Sequence, residues 1–515
     1  MGLPEPSSGS RSSLPRKTTV SFTTQDLAQF SAASRDRNPL HISEEYARTT
    51  PYGEPVVFGM LGVLAALGRL SDRHDRLLQR TSIEFRNPLA VGIPYRLEVS
   101  EPTTDRAIVK LYDATRLMLK ATFTFMPRHG DTRETPVQEA ACSTEAADLK
   151  KENLLAGTRV TGAYGPATTE LAEVIRRWKL SGKGATARHI SAMMWASFVV
   201  GMELPGKRAV FWRLELTFHA EDGPQENLLR YDVTIQDFDE RLDLLHTTGM
   251  LSAGTTICAA AEMWAFVRQD SPQSSLTRLT DLLPRSEQLK GKVALVIGGS
   301  RGLGAAITQA LASQGCTVFL NYHQCTTEAE RIRMSLGSTF GTIELVQGDA
   351  SDIQWGRTVR QNLIERYGGL DLLICNASPP IRPLPFVPEK FTQFQDFLAQ
   401  SAAMAGIPMS ALLSTLDARS GWNVFISSAF VKDLPPEWPH YVTAKCAIEG
   451  LMHWAAAHYP KVHSLIVRPP KLLTDQTNTT VGRQGAMPVE QAAAAIVNRL
   501  ACPEPSQGVQ ILDVF

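Results

Sequence analysis

The chain has 515 residues, 43% of them apolar and 20% charged, with a formal net charge of zero. That length suggests roughly two to four domains with ordinary globular cores. The balanced charge gives no global basic bias toward nucleic acid or an anionic membrane, and no uninterrupted apolar stretch reaches the roughly eighteen residues of a membrane span. The seven cysteines are scattered without a C-x-x-C pair. They read as free thiols in a reducing, cytoplasmic compartment, with no metal site.

Residues 1–17 are rich in Ser, Pro, Gly and Arg and lack an apolar leader core, so a disordered tail is expected. Residues 30–47 read FSAASRDRNPLHISEEYA and place Asp36, Asn38, Pro39 and His41 in a polar cluster between apolar stretches. Ser43 suits a helix N-cap, with Glu44 and Glu45 in the first turn. A capped loop that merely opens a helix accounts for Ser43 and Pro39, but not for both Asp36 and His41. Residues 55–70, PVVFGMLGVLAALGRL, are apolar nearly all round, which predicts an enclosed helix. Residues 80–88, 95–99, 107–112 and 118–125 then read as strands.

One enclosed helix wrapped by an antiparallel sheet is the hotdog arrangement. These residues resemble the MaoC-like, (R)-specific enoyl thioester hydratases, whose signature is Gly-Asp-x-Asn-Pro-x-His. Asp36, Asn38, Pro39 and His41 match it, Arg35 stands in place of the glycine, and Phe58 stands where the family usually has a histidine. The resemblance implies that Asp36 and His41 exchange protons with the substrate during loss of water from a 3-hydroxyacyl thioester. It also implies that the N–H of Gly59 polarises the thioester carbonyl.

Residues 128–157 are polar and irregular and read as a connection. From residue 158 the order of elements repeats: a helix over 171–180, a long apolar-rich helix over 185–202, strands over 210–219 and 230–235, and apolar material over 251–266. This predicts a second hotdog over 158–268, without the acid–base motif, completing a double hotdog with residues 18–127. His189, His219 and His246 read as packed or surface residues. Residues 269–290 are rich in Ser, Pro, Thr and charge and read as a linker.

Residues 293–322 read VALVIGGSRGLGAAITQALASQGCTVFLNY. A buried strand, a glycine turn, an Ala-rich helix and a second strand form one βαβ unit. Gly298, Gly302 and Gly304 let the backbone turn and approach a pyrophosphate at the helix N-terminus. The spacing resembles the short-chain dehydrogenase/reductase family, and the resemblance extends over 291–515. Asn376-Ala377-Ser378 stands where the family has Asn-Ala-Gly. Ser428 precedes Tyr441 by thirteen residues, and Lys445 follows by four.

The resemblance implies an α/β Rossmann-type doubly wound parallel sheet following the α+β double hotdog. It implies cofactor contacts from Gly298, Ser300, Arg301, Gly302, Leu303, Gly304, Asn321, Asp349, Asn376, Tyr441, Lys445, Pro469 and Thr474. Tyr441 would protonate the forming alkoxide, Ser428 would hold the carbonyl oxygen, and Lys445 would lower the tyrosine pKa. No Asp or Glu ends the second strand and Arg301 follows the turn, which favours NADPH. Gln400 or Ser401 falls where the family has a relay asparagine. Pro470 replaces a glycine the family favours, and Ile297 a threonine.

The two resemblances together imply a bifunctional enzyme. It would reduce a 3-oxoacyl thioester and then dehydrate the 3-hydroxyacyl product, in polyketide or fatty acid type biosynthesis. Acyl carrier protein or CoA would carry the acyl group, and a homo-oligomer is expected. The alternative is an NADPH-dependent ketoreductase whose hotdog region only binds substrate or dimerises.

Overall fold

A computed structural model describes residues 15–128, 137–219, 226–337, 341–502 and 508–515. Contacts divide the chain into two units. One holds the chain up to Ala47 together with Glu54–Gln269, the other Arg48–Gly53 together with Asp270–Phe515.

The first unit runs β1 (Arg16–Val20), α1 (Thr24–Ser34), α2 (Pro39–Ile42), α3 (Glu44–Arg48), α4 (Gly59–Leu67), β2 (Arg76–Phe85), β3 (Tyr95–Thr103), β4 (Arg106–Asp113) and β5 (Arg116–Pro127). It continues with β6 (Arg159–Tyr164), α5 (Thr168–Trp178), α6 (Ala187–Phe198), a π-helical turn at Val199–Glu203, β7 (Ala209–Phe218), β8 (Leu229–Asp239), β9 (Leu244–Ala253) and β10 (Thr256–Val267). The strands form one ten-stranded sheet in the order β1-β3-β4-β5-β2-β7-β10-β9-β8-β6. Read outward from the antiparallel β2–β7 pair, the two halves have the same order. β2, β5, β4, β3, β1 mirror β7, β10, β9, β8, β6.

The alternation of side chains decides which face is covered. β4 buries Ala107, Val109 and Leu111, β5 buries Leu119, Ala121 and Phe123, and β7 buries Leu214 and Leu216. Each large side chain so buried contributes about 1.5–3 kcal/mol. Every residue of α4 from Met60 to Leu67 is buried, and so is every residue of α6 from Arg188 to Phe198. Helices apolar on most of their circumference need such enclosure. The halves meet closely where a Cβ on Gly68 would lie 1.8 Å from the Trp178 carbonyl oxygen. A Gly68→Ala change would push the two apart.

Three sequence expectations shift. The expected tail over 1–17 ends early, since Arg16 and Lys17 already pair with Val99 and Glu98; residues 1–14 lie outside the described residues. The connection 128–157 is anchored, with Val137 and Leu154 in the core; its residues 129–136 lie outside the described residues. The helix expected over 55–70 begins at Gly59, because the preceding residues pair as an extended bridge at Val56 and Ala90.

The second unit contains α7 (Leu276–Leu282), β11 (Val293–Ile297), α8 (Gly302–Ser313), β12 (Thr317–Tyr322), α9 (Thr326–Met334), β13 (Thr342–Gln347), α10 (Ile353–Tyr367), β14 (Leu372–Cys375) and α11 (Phe391–Arg419). β15 (Trp422–Ile426), α12 (Phe430–Asp433), α13 (Pro439–His458), β16 (His463–Val467), β17 (Leu472–Leu473), α14 (Thr480–Arg483), β18 (Met487–Pro488), α15 (Val489–Ala501) and β19 (Val509–Leu512) complete it. Its main sheet is parallel and seven-stranded, in the order β13-β12-β11-β14-β15-β16-β19. β11, β14 and β15 are buried at every residue, as expected of strands covered on both faces. The chain order reverses between β11 and β14, which opens a crevice at their carboxyl ends.

The expected linker 269–290 instead carries α7. Leu279, Leu283 and Leu289 join the core that α8 and α15 share, so apolar residues hidden in a polar run made it part of the unit. α11 is long and apolar enough to cross a membrane by length and composition alone. In the fold its Phe397, Ser401, Ala405, Met409 and Leu412 are buried, against a neighbourhood that includes β14 and α13.

Candidate active sites

In the first unit, α1 ends at Arg35, whose φ of +62° is left-handed. A non-glycine residue there costs on the order of 1–2 kcal/mol. The turn sends Asp36 inward, where it is 2% exposed. Asp36 Oδ1 accepts the Asn38 N–H at 3.1 Å, and Oδ2 accepts the Ser197 hydroxyl at 2.7 Å. Asn38 caps α2 through the Leu40 N–H at 3.0 Å, and its Nδ2 donates to the carbonyls of Gly201 at 3.2 Å and Gly206 at 3.1 Å. A Cβ on Gly201 would stand 2.4 Å from Asp36 Oδ1, so only glycine allows this approach. Burial pushes the Asp36 carboxyl up to about 7, against the Ser197 and Asn38 hydrogen bonds, which favour the ionised form.

His41 lies five residues on. Its Nδ1 faces the Val56 carbonyl oxygen at 2.7 Å. A carbonyl only accepts, so Nδ1 carries the proton and Nε2 keeps its lone pair. The ring stacks on Phe58 with centroids 4.0 Å apart, which gives Phe58 a packing role at the position of the family's histidine. Burial pushes His41 down to about 4; the Val56 hydrogen bond opposes this and the Arg268 charge assists it. Gly59 opens α4 behind Phe58, with no side chain capping the helix N-terminus.

The second half was expected to carry no catalytic motif, and none of its histidines reaches this site. His189 Nδ1 lies 3.1 Å from the Thr186 N–H and 2.6 Å from the Thr186 hydroxyl, closing a capping box on α6. His246 stacks on Trp264, and His219 is exposed. Sequence reading missed, however, that Ser197, Gly201 and Gly206 of this half hold Asp36 and Asn38. No local motif marks them; only the repeated element order pointed to this helix.

In the second unit, β11 delivers the glycine turn to the crevice. Gly298 has a φ of +73°, and a Cβ there would meet Ala377 at 3.1 Å. A Cβ on Gly304 would stand 2.0 Å from the Gly298 carbonyl oxygen, so α8 packs on the turn only because Gly304 has none. Asn376 Nδ2 donates to that carbonyl at 3.0 Å. α8 starts with no side-chain cap on its N-terminal N–H groups. A glycine cradle before open helix N–H groups fits the pyrophosphate of a nicotinamide dinucleotide. Ser300 and Leu303 are buried beside it, and a Cβ on Gly302 would touch Thr474 Cγ2 at 3.3 Å. Pro469 is buried and its carbonyl accepts the Ala429 N–H at 3.0 Å, joining the Thr474 segment to the Ser428 loop.

Several expected cofactor contacts are engaged within the protein. Asn321 accepts the Gly298 N–H at 3.3 Å and donates to the carbonyls of Val346 at 3.2 Å and Gly348 at 3.0 Å, so it braces the turn. Asp349 Oδ1 accepts the Ser351 N–H at 2.8 Å and hydroxyl at 2.6 Å. Arg301 pairs with Asp475 at 3.2 Å and donates to the Arg48 carbonyl. Neither Asp475 nor the Arg48–Gly53 segment was anticipated, because both reach the turn from distant sequence.

Ser428, Tyr441 and Lys445 converge. Ser428 Oγ accepts the Phe430 N–H at 3.2 Å and sits close enough to the Tyr441 phenol to favour its ionised form. Lys445 Nζ donates to the Ile426 carbonyl at 2.8 Å and lies 5.4 Å from the centre of the Tyr441 ring. Burial pushes the Tyr441 phenol above its ordinary value, with Ser428 opposing, and pulls Lys445 down to about 8. The expected lowering of the tyrosine by Lys445 is therefore corrected: desolvation dominates. Below the site, Arg468 Nε reaches Glu449 Oε1 at 2.9 Å, and that oxygen also accepts the Ser427 hydroxyl at 2.6 Å. Ser401 is buried and Gln400 exposed; the Ser401 hydroxyl has no hydrogen-bond partner among the described residues. Among the described residues, no group of His, Cys, Asp or Glu suits a metal ion.

The model of the short chain dehydrogenase family matches residues 292–484, and that of the MaoC like domain matches residues 9–100. A hydroxynaphthalene reductase-like protein, Arp2, of Metarhizium acridum is 25% identical over 243 residues, which is 44% of this chain and 88% of that protein. An L-rhamnose 1-dehydrogenase (NADP(+)) of Thermoplasma acidophilum is 27% identical over 225 residues, 42% of this chain and 85% of that protein. A solved dehydrogenase/reductase from Sinorhizobium meliloti 1021 is 25% identical with a TM-score of 0.40, covering 46% of this chain and 98% of its own. With the two sites above, the matches identify one polypeptide that joins a MaoC-like domain at its N-terminus to a short-chain dehydrogenase domain at its C-terminus.

Proposed function

We propose that this chain is a bifunctional enzyme that uses NADPH to reduce a 3-oxoacyl thioester and then dehydrates the 3-hydroxyacyl thioester to a trans-2-enoyl thioester. The observation that carries this reading is a buried carboxyl and a buried imidazole five residues apart, Asp36 held by Ser197 and Asn38 and His41 by the Val56 carbonyl, with burial moving the two in opposite directions. Asp36 sits at about 7 and His41 at about 4. Environments that separate two titrating groups assign the acid and the base.

In dehydration, His41 Nε2 takes the α-proton, and protonated Asp36 delivers a proton to the departing β-hydroxyl, which leaves as water. The uncapped N–H of Gly59 stabilises the negative charge that develops on the thioester oxygen. The mirrored ten-stranded sheet with one enclosed helix in each half supports reading the first unit as a double hotdog.

In reduction, the nicotinamide cofactor supplies the hydride when bound. Gly298, Gly302 and Gly304 would hold its pyrophosphate. Ser428 donates a hydrogen bond to the ketone oxygen, Tyr441 delivers the proton to that oxygen, and Lys445 restores charge balance beside the phenol. NADPH is favoured by the absence of a carboxylate at the end of β12 and by Arg301 at the turn. A 2′-phosphate there would exchange with Asp475 for the guanidinium. A relative named for reducing hydroxynaphthalene fits a setting in polyketide or fatty acid type biosynthesis. Acyl carrier protein or CoA would present the chain, and a homo-oligomer is the working assembly we favour.

The test uses the full chain and two substrates. With NADPH and a 3-oxoacyl thioester, Tyr441→Phe should oxidise NADPH at least about a hundredfold more slowly than the parent. Normal turnover by that variant removes the reductase assignment.

A further inference from the structure

The turn that carries Asp36 faces two ways. Asp36 points inward to Ser197, while its neighbours Arg35 and Arg37 line a cleft of about 370 Å³. Glu139, Cys142, Ser143 and Thr144 form the facing wall. Arg35 holds its left-handed φ of +62°, a conformation that glycine adopts without penalty. Its Nη2 reaches Glu139 at 2.9 Å, while its Nε is buried without a hydrogen-bond partner among the described residues. Glu139 does not answer Arg35 alone, because it also accepts the Thr168 N–H at the start of α5, at 2.8 Å. Arg37 is exposed. Arg35 and Arg37 bring two guanidiniums to the cleft, where Glu139 pairs with Arg35 and the Glu203 charge reaches Cys142 on the facing wall. A strained arginine beside a second arginine offers planar guanidinium donors of the kind that suit an oxyanion.

We propose that this cleft binds the phosphate of the pantetheine arm, which CoA and a carrier protein's 4′-phosphopantetheine share. The phosphate would stay at the surface between Arg35 and Arg37 while the acyl end enters on the Asp36 side of the same turn. Guanidinium groups pair with phosphate oxygens through parallel N–H donors. The assignment rests on the dehydratase reading above and adds the handle by which the substrate is held.

The test measures dehydration by the full chain of one 3-hydroxyacyl group on three carriers: CoA, acyl carrier protein, and N-acetylcysteamine, which has no phosphate. Arg35→Gly relieves the turn rather than straining it, and is combined with Arg37→Ala. The ratio of kcat/KM for a phosphate-bearing thioester to that for the N-acetylcysteamine thioester should fall tenfold or more, through KM. Arg37→Lys, in an otherwise native chain, should keep most of the ratio. A fall confined to CoA or confined to the carrier protein supports the site and identifies its natural source. An unchanged ratio for both, in an active enzyme, overturns the cleft assignment alone. A parent protein inert on all three thioesters overturns the dehydratase reading and the cleft with it.

Discussion

The enclosed helices α4 and α6 occupy equivalent places in mirrored halves of one sheet, yet they begin differently. α4 starts at Gly59 with no side chain on its first N–H groups, whereas α6 starts inside a capping box made by Thr186 and His189. Free helix N–H groups attract a developing negative charge, and a capping box satisfies those same donors internally. In the proposed mechanism the first end is left for chemistry, whereas the second is closed by its own cap. α6 contributes instead near its far end, where Ser197 and Gly201 receive Asp36. The two halves share one order of strands but differ at opposite ends of their enclosed helices.

Disabling one residue in each half should separate their roles by the largest margin. Asp36→Asn should lower dehydration of a 3-hydroxyacyl thioester by about 10²–10⁴-fold, whereas His189→Gln should stay within about twofold. Similar losses from both would place chemistry in the sealed half as well. A second test is the pH profile of kcat/KM for dehydration. Asp36 must hold its proton, so the rate falls as pH rises through about 7. His41 must be neutral, so it falls as pH drops through about 4. The expected profile is a bell between those values, losing about tenfold per pH unit beyond each limb.

Ser197→Ala removes the support that the second half gives Asp36. Its hydroxyl favours the ionised form of Asp36, so removing it should move the alkaline limb to higher pH and leave the acid limb in place. The smallest effect belongs to Thr186→Ala. Loss of the α6 cap should cost about 1 kcal/mol in denaturant unfolding, with the dehydration profile unmoved.

The reductase site was legible because its residues fall in order along a contiguous stretch, each tied to a strand end or helix turn. The glycine spacing and the Ser428, Tyr441, Lys445 intervals carried its geometry directly. The competition at Tyr441 was not legible, since burial depends on packing that spacing does not encode. Nor was the Arg301–Asp475 pair, which joins residues far apart in sequence. In the first unit, Asp36 and His41 stood out as polar residues without a local structural reason. Their supports did not, because Ser197 and Gly201 look like ordinary small residues of an apolar helix. α7 escaped notice because three core leucines were spread through a polar stretch.

Two successive reactions on one β-carbon leave a product that mass identifies. The parent chain, given NADPH and a 3-oxoacyl thioester, is sampled by mass spectrometry of the thioester. The parent should give a trans-2-enoyl product, and Asp36→Asn should accumulate the 3-hydroxyacyl thioester. Accumulation of the 3-hydroxyacyl thioester by the parent, with no loss of water, would contradict successive reduction and dehydration.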